Sequence, residues 1–122
     1  MIYSVGCDII EVARIKKSAE SESFMCRAFS AEEIERFSLT PHPAQSMAGA
    51  WAAKEAFAKS LKTGVRGFSL DEITIAHDEL GAPYFKLSEN AKKAAEGLEF
   101  HLSISHTKEY AQAFCIACRK EM

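Results

Sequence analysis

The sequence predicts an α+β fold, an antiparallel sheet with helices packed on one side, and three observations carry that reading. Strand-like alternation marks the start of the chain and returns only in its second half. Helical segments fill the interval without repeated strand–helix–strand units, so a parallel doubly wound sheet is excluded. The later strands fall into two pairs joined by short turns. The resulting order is β-α-α-α-β-β-α-β-β, and at 122 residues the chain has the length of a single domain.

Ile2 to Ile10 alternates, with Tyr3, Val5, Cys7 and Ile9 on one side and Ser4, Gly6 and Asp8 on the other. The second row is a shelf of small residues ending in a carboxylate, open to close approach by a ligand or metal. "EVARIKKSAES" continues as a helix entered directly from the strand. "FSAEEIERF" starts another with a capping box, Ser30 accepting from the backbone and Glu33 reaching back. "LTPHPAQ" breaks the chain, and a long helix follows from about Ala44 to Leu61, ending near Gly64. "KTGVRGFS" is a loop with two glycines and two cations. "EITIAH" and "YFKL" form a hairpin about "DELGAP", "SENAKKAAEG" a short helix capped by Ser88, and "EFHLSISH" and "YAQAFCIAC" a second hairpin.

Composition limits the possible functions. Hydrophobic residues make up 48% and charged residues 26%, and the net charge of −2 argues against bulk nucleic-acid binding. No apolar run approaches membrane-spanning length. "MIYSVGCDII" has neither the basic start nor the cleavage site of a signal peptide, so the expectation is a cytoplasmic protein. Cys7, Cys26, Cys115 and Cys118 are then expected as free, mostly buried thiols. "CIAC" lacks the second ligand pair that zinc needs, and on a strand its two sulfurs diverge.

Three places could carry chemistry. Asp8 ends the small-residue row. Glu55 and Lys59 are spaced as an ordinary surface ion pair. Lys54, Lys59 and Lys62 line one edge of the same helix, however, and Arg66 follows in the loop. That setting suits a metal-bound polyphosphate. His106, beside Thr107 and Lys108, is either structural or part of a phosphate-binding turn. His42, His77 and His101 have no comparable neighbours and read as surface or structural residues. Lys54 falls within the apolar stripe of Met47, Ala50, Trp51, Phe57, Ala58 and Leu61. There it is expected to stretch its stem along that stripe to an anion at a cleft edge, either a bound phosphate or a carboxylate such as Asp8.

These segments resemble the holo-acyl-carrier-protein synthase family of small bacterial 4′-phosphopantetheinyl transferases, over nearly the whole chain. "VGCDIIEVARI" is similar to the family's N-terminal G-x-D-I-x-E-x-x-R motif, and "WAAKEAFAKSLKTG" to its W/F-x-x-K-E-A-x-x-K motif. "RGFSLDEITI", "GAPYFKL" and "LSISHTKEYAQAF" are lesser matches. The resemblance implies Mg²⁺-dependent transfer of 4′-phosphopantetheine from coenzyme A to a serine of apo acyl carrier protein, in fatty acid biosynthesis. It implies that Asp8 and Glu55 hold Mg²⁺, that Glu55 removes the serine proton directly or through a metal-bound water, and that Lys59 contacts the pyrophosphate and helps the leaving group depart. His106 and Thr107 match a segment that meets the coenzyme's phosphates, and Gly81 to Pro83 one near the adenine. Arg14 matches a carrier-protein contact that Lys17 or Arg27 would extend. The family also implies a homotrimer with sites between subunits.

Where the family commonly carries a basic residue before the motif's aromatic, this chain has Ala50. "LTPHPAQSM" has no cation, and Lys62 replaces a usual glycine. Lys62 and Arg66 are assigned the missing phosphate contacts. The rival readings are the same transfer to a polyketide or peptide-synthetase carrier, a non-catalytic module binding coenzyme A or carrier protein, and a metal-dependent phosphohydrolase.

Overall fold

In the computed structural model, which describes residues 1–121, strand β1 (Ile2–Glu11) runs directly into helix α1 (Val12–Ser18). The backbone N–H of Val12 donates to the Glu109 carbonyl at 2.8 Å, which fixes this junction. Helix α2 (Glu22–Ala28) is an element missing from the expected order; Ser21 caps it by accepting from the Phe24 N–H at 3.2 Å. Helix α3 (Ala31–Phe37) begins with the expected capping box of Ser30 and Glu33. Helix α4 (Pro43–Ser60) starts on Pro43, one residue earlier than expected, because a first-turn position needs no N–H donor.

A 3₁₀ turn (Leu70–Glu72) leads into strands β2 (Ile73–His77) and β3 (Pro83–Leu87). The Asp78 carboxylate accepts from the N–H groups of Leu80 and Ala82, both at 2.9 Å, and closes the turn between the two strands. Helix α5 (Glu89–Ala94) is not capped by the Ser88 side chain as expected; the Glu72 carboxylate instead accepts from the Ala91 N–H at 3.0 Å. Strands β4 (Leu98–His106) and β5 (Tyr110–Arg119) complete the chain. The strands form two antiparallel sheets rather than one, β1-β5-β4 and β2-β3.

Helix α4 packs on β1, β5, β4, β2, α1 and α3 and is buried nearly all round, as a helix rich in alanine permits. The small-residue row of β1 does receive a close neighbour, but it is this helix and not a ligand. A Cβ placed on Gly6 would lie 2.0 Å from the Ala56 carbonyl oxygen. Ala113, Cys115 and Ala117 continue the low-profile surface on β5. With that row turned inward, the apolar row faces out. Val5 is 51%, Ile9 64% and Phe114 42% exposed.

Gly6→Ala is therefore expected to lower stability by about 1–3 kcal/mol or more, read as the denaturant midpoint, since only backbone could give way. An unchanged midpoint would show that the strand can slide off the helix without loss.

The cysteines are free thiols, but Cys7 and Cys26 are exposed, contrary to the expectation for most of them. Cys7 belongs to the outward row of β1, and Cys26 lies on the outer side of α2. Cys115 and Cys118 fall three apart on β5 and do point apart. Burial pushes the Cys115 thiol up to about 11, opposed by its contact with the Ser60 hydroxyl.

Candidate active site

β1 and α4 bring together three of the residues singled out in the sequence. Glu55 and Lys59 are one turn apart on α4, and Asp8 lies two residues beyond Gly6 on the strand that the helix covers. The Lys59 ammonium donates to the Cys7 carbonyl at 2.9 Å and lies 3.3 Å from Asp8 Oδ1. Burial raises the Glu55 pKa first, the nearby Asp8 charge raises it further, and Lys59 opposes both. Asp8 and Glu55 line a cleft of about 250 Å³ together with Arg14, Ser18 and Trp51. Two neighbouring carboxylates beside a lysine are a donor set that could hold Mg²⁺. It leaves most coordination positions to water and phosphate oxygens.

Lys54 has a different role from the one expected. Its ammonium is fully buried and donates to Glu33 Oε1 at 2.5 Å, to the Ala28 carbonyl at 2.7 Å and to the Leu70 carbonyl at 3.0 Å. The anion it reaches is therefore Glu33, on the side of α4 away from Asp8. Burial lowers the lysine's pKa, and the Glu33 charge counteracts this. Glu33 itself serves as capping-box residue, ion-pair partner and acceptor from the Ile75 N–H at 3.1 Å.

The coenzyme-contact candidates lie elsewhere. His106, Gly81 and Pro83 line a second cleft, of about 240 Å³, with Gln45, Ser46 and Ala50 on its α4 wall. It shares no lining residue with the first. At roughly 3.6 residues per turn, positions 45, 46, 49 and 50 lie on the opposite side of α4 from Trp51 and Glu55. Thr107 Oγ1 accepts from the N–H groups of Glu109 and Tyr110, at 3.2 and 3.1 Å, and so holds the turn after His106. Lys62 and Arg66 are exposed and line neither cleft; the Lys62 ammonium rests 4.2 Å over the Tyr3 ring. Arg14, Lys17 and Arg27 are carried on α1 and α2, away from the second cleft.

The second cleft also contains Arg36, which the sequence did not mark, and His77, which it read as a surface or structural residue. Arg36 Nη1 lies 2.5 Å from His77 Nδ1 across 41 positions of chain. No local spacing announces such a contact.

A small α+β chain with paired carboxylates beside a lysine and a guanidinium fits the class of phosphoryl-group transferases. Residues 4–115 match the 4′-phosphopantetheinyl transferase superfamily, and the chain belongs to it. It is 38% identical to the holo-[acyl-carrier-protein] synthase of Fusobacterium nucleatum, over 95% of this chain and 98% of that protein. The crystal structure of the Neisseria meningitidis holo-[acyl-carrier-protein] synthase superposes with a TM-score of 0.91 at 36% identity, covering 98% of this chain and all of that one. That of the Bacillus anthracis synthase, in complex with CoA (3′,5′-ADP), gives a TM-score of 0.83 at 33% identity, covering 96% of each chain.

Proposed function

We propose that the protein transfers the 4′-phosphopantetheine group of coenzyme A to a serine hydroxyl of apo acyl carrier protein, releasing adenosine 3′,5′-bisphosphate. The observation that carries this reading is the convergence of Asp8, Glu55, Lys59 and Arg14 about one edge of α4 in a chain of this superfamily. The names of its relatives and the coenzyme complex of the Bacillus anthracis protein support it.

In the reaction the serine oxygen forms a bond to the phosphorus bearing the pantetheine arm, and the bond from that phosphorus to the bridging oxygen breaks. Glu55, directly or through a water, takes the serine proton, since it is the carboxylate on α4 beside Lys59 at the edge of the cleft. Lys59 offsets the charge that gathers on the departing phosphate, and Asp8 holds the Lys59 ammonium in place. Asp8 and Glu55 would also hold Mg²⁺, which when bound supplies further charge neutralisation to the pyrophosphate. Arg14, at the cleft mouth and flanked by Lys17 and Arg27, offers cations to the acidic surface of a carrier protein. A cytoplasmic location agrees with this substrate pair, and among the described residues no helix is long and apolar enough to cross a membrane.

The arrangement further supports a homotrimer. The two clefts share no lining residue and lie on opposite sides of α4, which favours a site completed by a neighbouring copy. Val5, Ile9 and Phe114 supply an apolar sheet face able to join copies. Light scattering is expected to give three times the mass of one chain. Phe114→Asp should lower that mass and abolish transfer, whereas a fully active single chain would overturn the trimer.

The function itself is tested by mass spectrometry of apo acyl carrier protein after incubation with the enzyme, coenzyme A and Mg²⁺. The expected result is a phosphopantetheine mass gain, lost with EDTA and restored by excess Mg²⁺. No gain on a fatty-acid, polyketide or peptide-synthetase carrier, together with tight coenzyme binding, would point instead to a non-catalytic binding module.

A further inference from the structure

The second cleft contains a cation that no acidic group among the described residues neutralises. Arg36, from the last turn of α3, makes no ion pair among those residues. Its Nη1 donates to His77 Nδ1 at 2.5 Å. As an acceptor at Nδ1, His77 is neutral and keeps a donor at Nε2. The nearby carboxylates are all occupied. Glu33, which also lines the cleft, is held by Lys54 and by the N–H groups of Ser30 and Ile75. Asp78 closes its own turn, and Glu32 pairs with Lys86 at 2.9 Å. What faces the cleft is thus a guanidinium with free N–H groups, two imidazoles from His77 and His106, and the small wall of Gly49 and Ala50. Low side-chain bulk beside a fork of donors suits a compact dianion such as a phosphate monoester.

Coenzyme A carries one phosphate monoester, on the ribose 3′ oxygen; its other phosphates form the pyrophosphate attacked in the reaction. We propose that Arg36, positioned by His77, is a specificity-determining residue that binds this 3′-phosphate and separates coenzyme A from its 3′-dephospho form. The inference rests on the transferase reading above and adds to it a residue pair and the phosphate it recognises. The Arg36 guanidinium then contacts a group remote from the reacting phosphorus, so its energy is expressed in binding more than in turnover.

The test compares wild type, Arg36→Ala and Arg36→Lys with coenzyme A and with 3′-dephospho-coenzyme A as donors to apo acyl carrier protein. Wild type is expected to prefer coenzyme A. Arg36→Ala should lower kcat/KM for coenzyme A about 10- to 100-fold, mainly through KM, and bring the ratio between the two donors towards one. Arg36→Lys, which keeps the charge but not the fork, should fall between. Calorimetry with adenosine 3′,5′-bisphosphate and with adenosine 5′-monophosphate should show the same pattern without any turnover. An unchanged donor ratio in Arg36→Ala, or equal losses with both donors, would overturn the proposal. Should wild type transfer nothing from coenzyme A, the transferase reading fails, and calorimetry still decides the phosphate site. If Arg36→Ala does not fold, Arg36→Lys decides the matter through the same ratio.

Discussion

Replacing Lys54 by alanine is expected to cost about 3–5 kcal/mol of stability, read as a shift in the denaturation midpoint. The loss would come from what remains behind: a buried Glu33 carboxylate without its cation, and the carbonyls of Ala28 and Leu70 without a donor. Lys54→Met should be nearly as damaging, because it restores volume without charge. Adding Glu33→Gln to Lys54→Met should recover part of the loss, since the unpaired charge is gone, although the single amide oxygen can keep only one of the bonds that Oε1 accepts from Ser30 and Oε2 from Ile75. Activity per folded molecule should stay near wild type in the double variant. A midpoint change below about 1 kcal/mol for Lys54→Ala would show that the pair does not tie α2, α3, the 3₁₀ turn and α4 together.

Glu55→Gln is expected to lower the turnover number roughly 100- to 10,000-fold with little change in stability, the range for a lost general base. The pH dependence has a definite sign. In metal-free protein the Glu55 carboxyl titrates above the 4.5 of an ordinary glutamate, for which burial is the larger cause and the Asp8 charge the smaller. A raised pKa keeps the proton on to higher pH, so the free base is lost as pH falls through that raised midpoint. Carbon-13 titration of the side chain in EDTA checks this directly. Asp8→Asn should lower the midpoint only part of the way, because burial remains, and Mg²⁺ should lower it by favouring the charged form. A metal-free midpoint below 4.5 would contradict this electrostatic account.

What the sequence made legible was local. Glu55 and Lys59 share a helix, and Asp8 sits in a strand two residues after a glycine, so periodicity alone places each of them. The capping box at Ser30 and Glu33 and the two hairpins were readable for the same reason. Long-range pairings were not. Lys54 was visible as an anomaly, but its partner lies 21 positions away on a helix whose end Glu33 was already needed to cap. The seven residues of α2 carry too little periodicity to stand out beside longer neighbours. The inward side of β1 was hidden because its hydrophobic row faces outward, the reverse of what binary patterning implies for one chain taken alone. Arg36 and His77 meet through the docking of α3 on the β2–β3 hairpin, which tertiary packing decides.

The contact between Gly6 and Ala56 has a consequence for how such a chain can drift over time. Asp8 follows Gly6 on the strand, and Glu55 precedes Ala56 on the helix, so the clearance between two backbones also sets the separation of the two acidic groups. A hydrogen atom at position 6 acts as the gauge for the reaction centre. Enlarging either residue would change the jaw width of the site before it changed any group that touches substrate. Selection for activity thereby reaches into an interior layer that no ligand contacts and keeps it small.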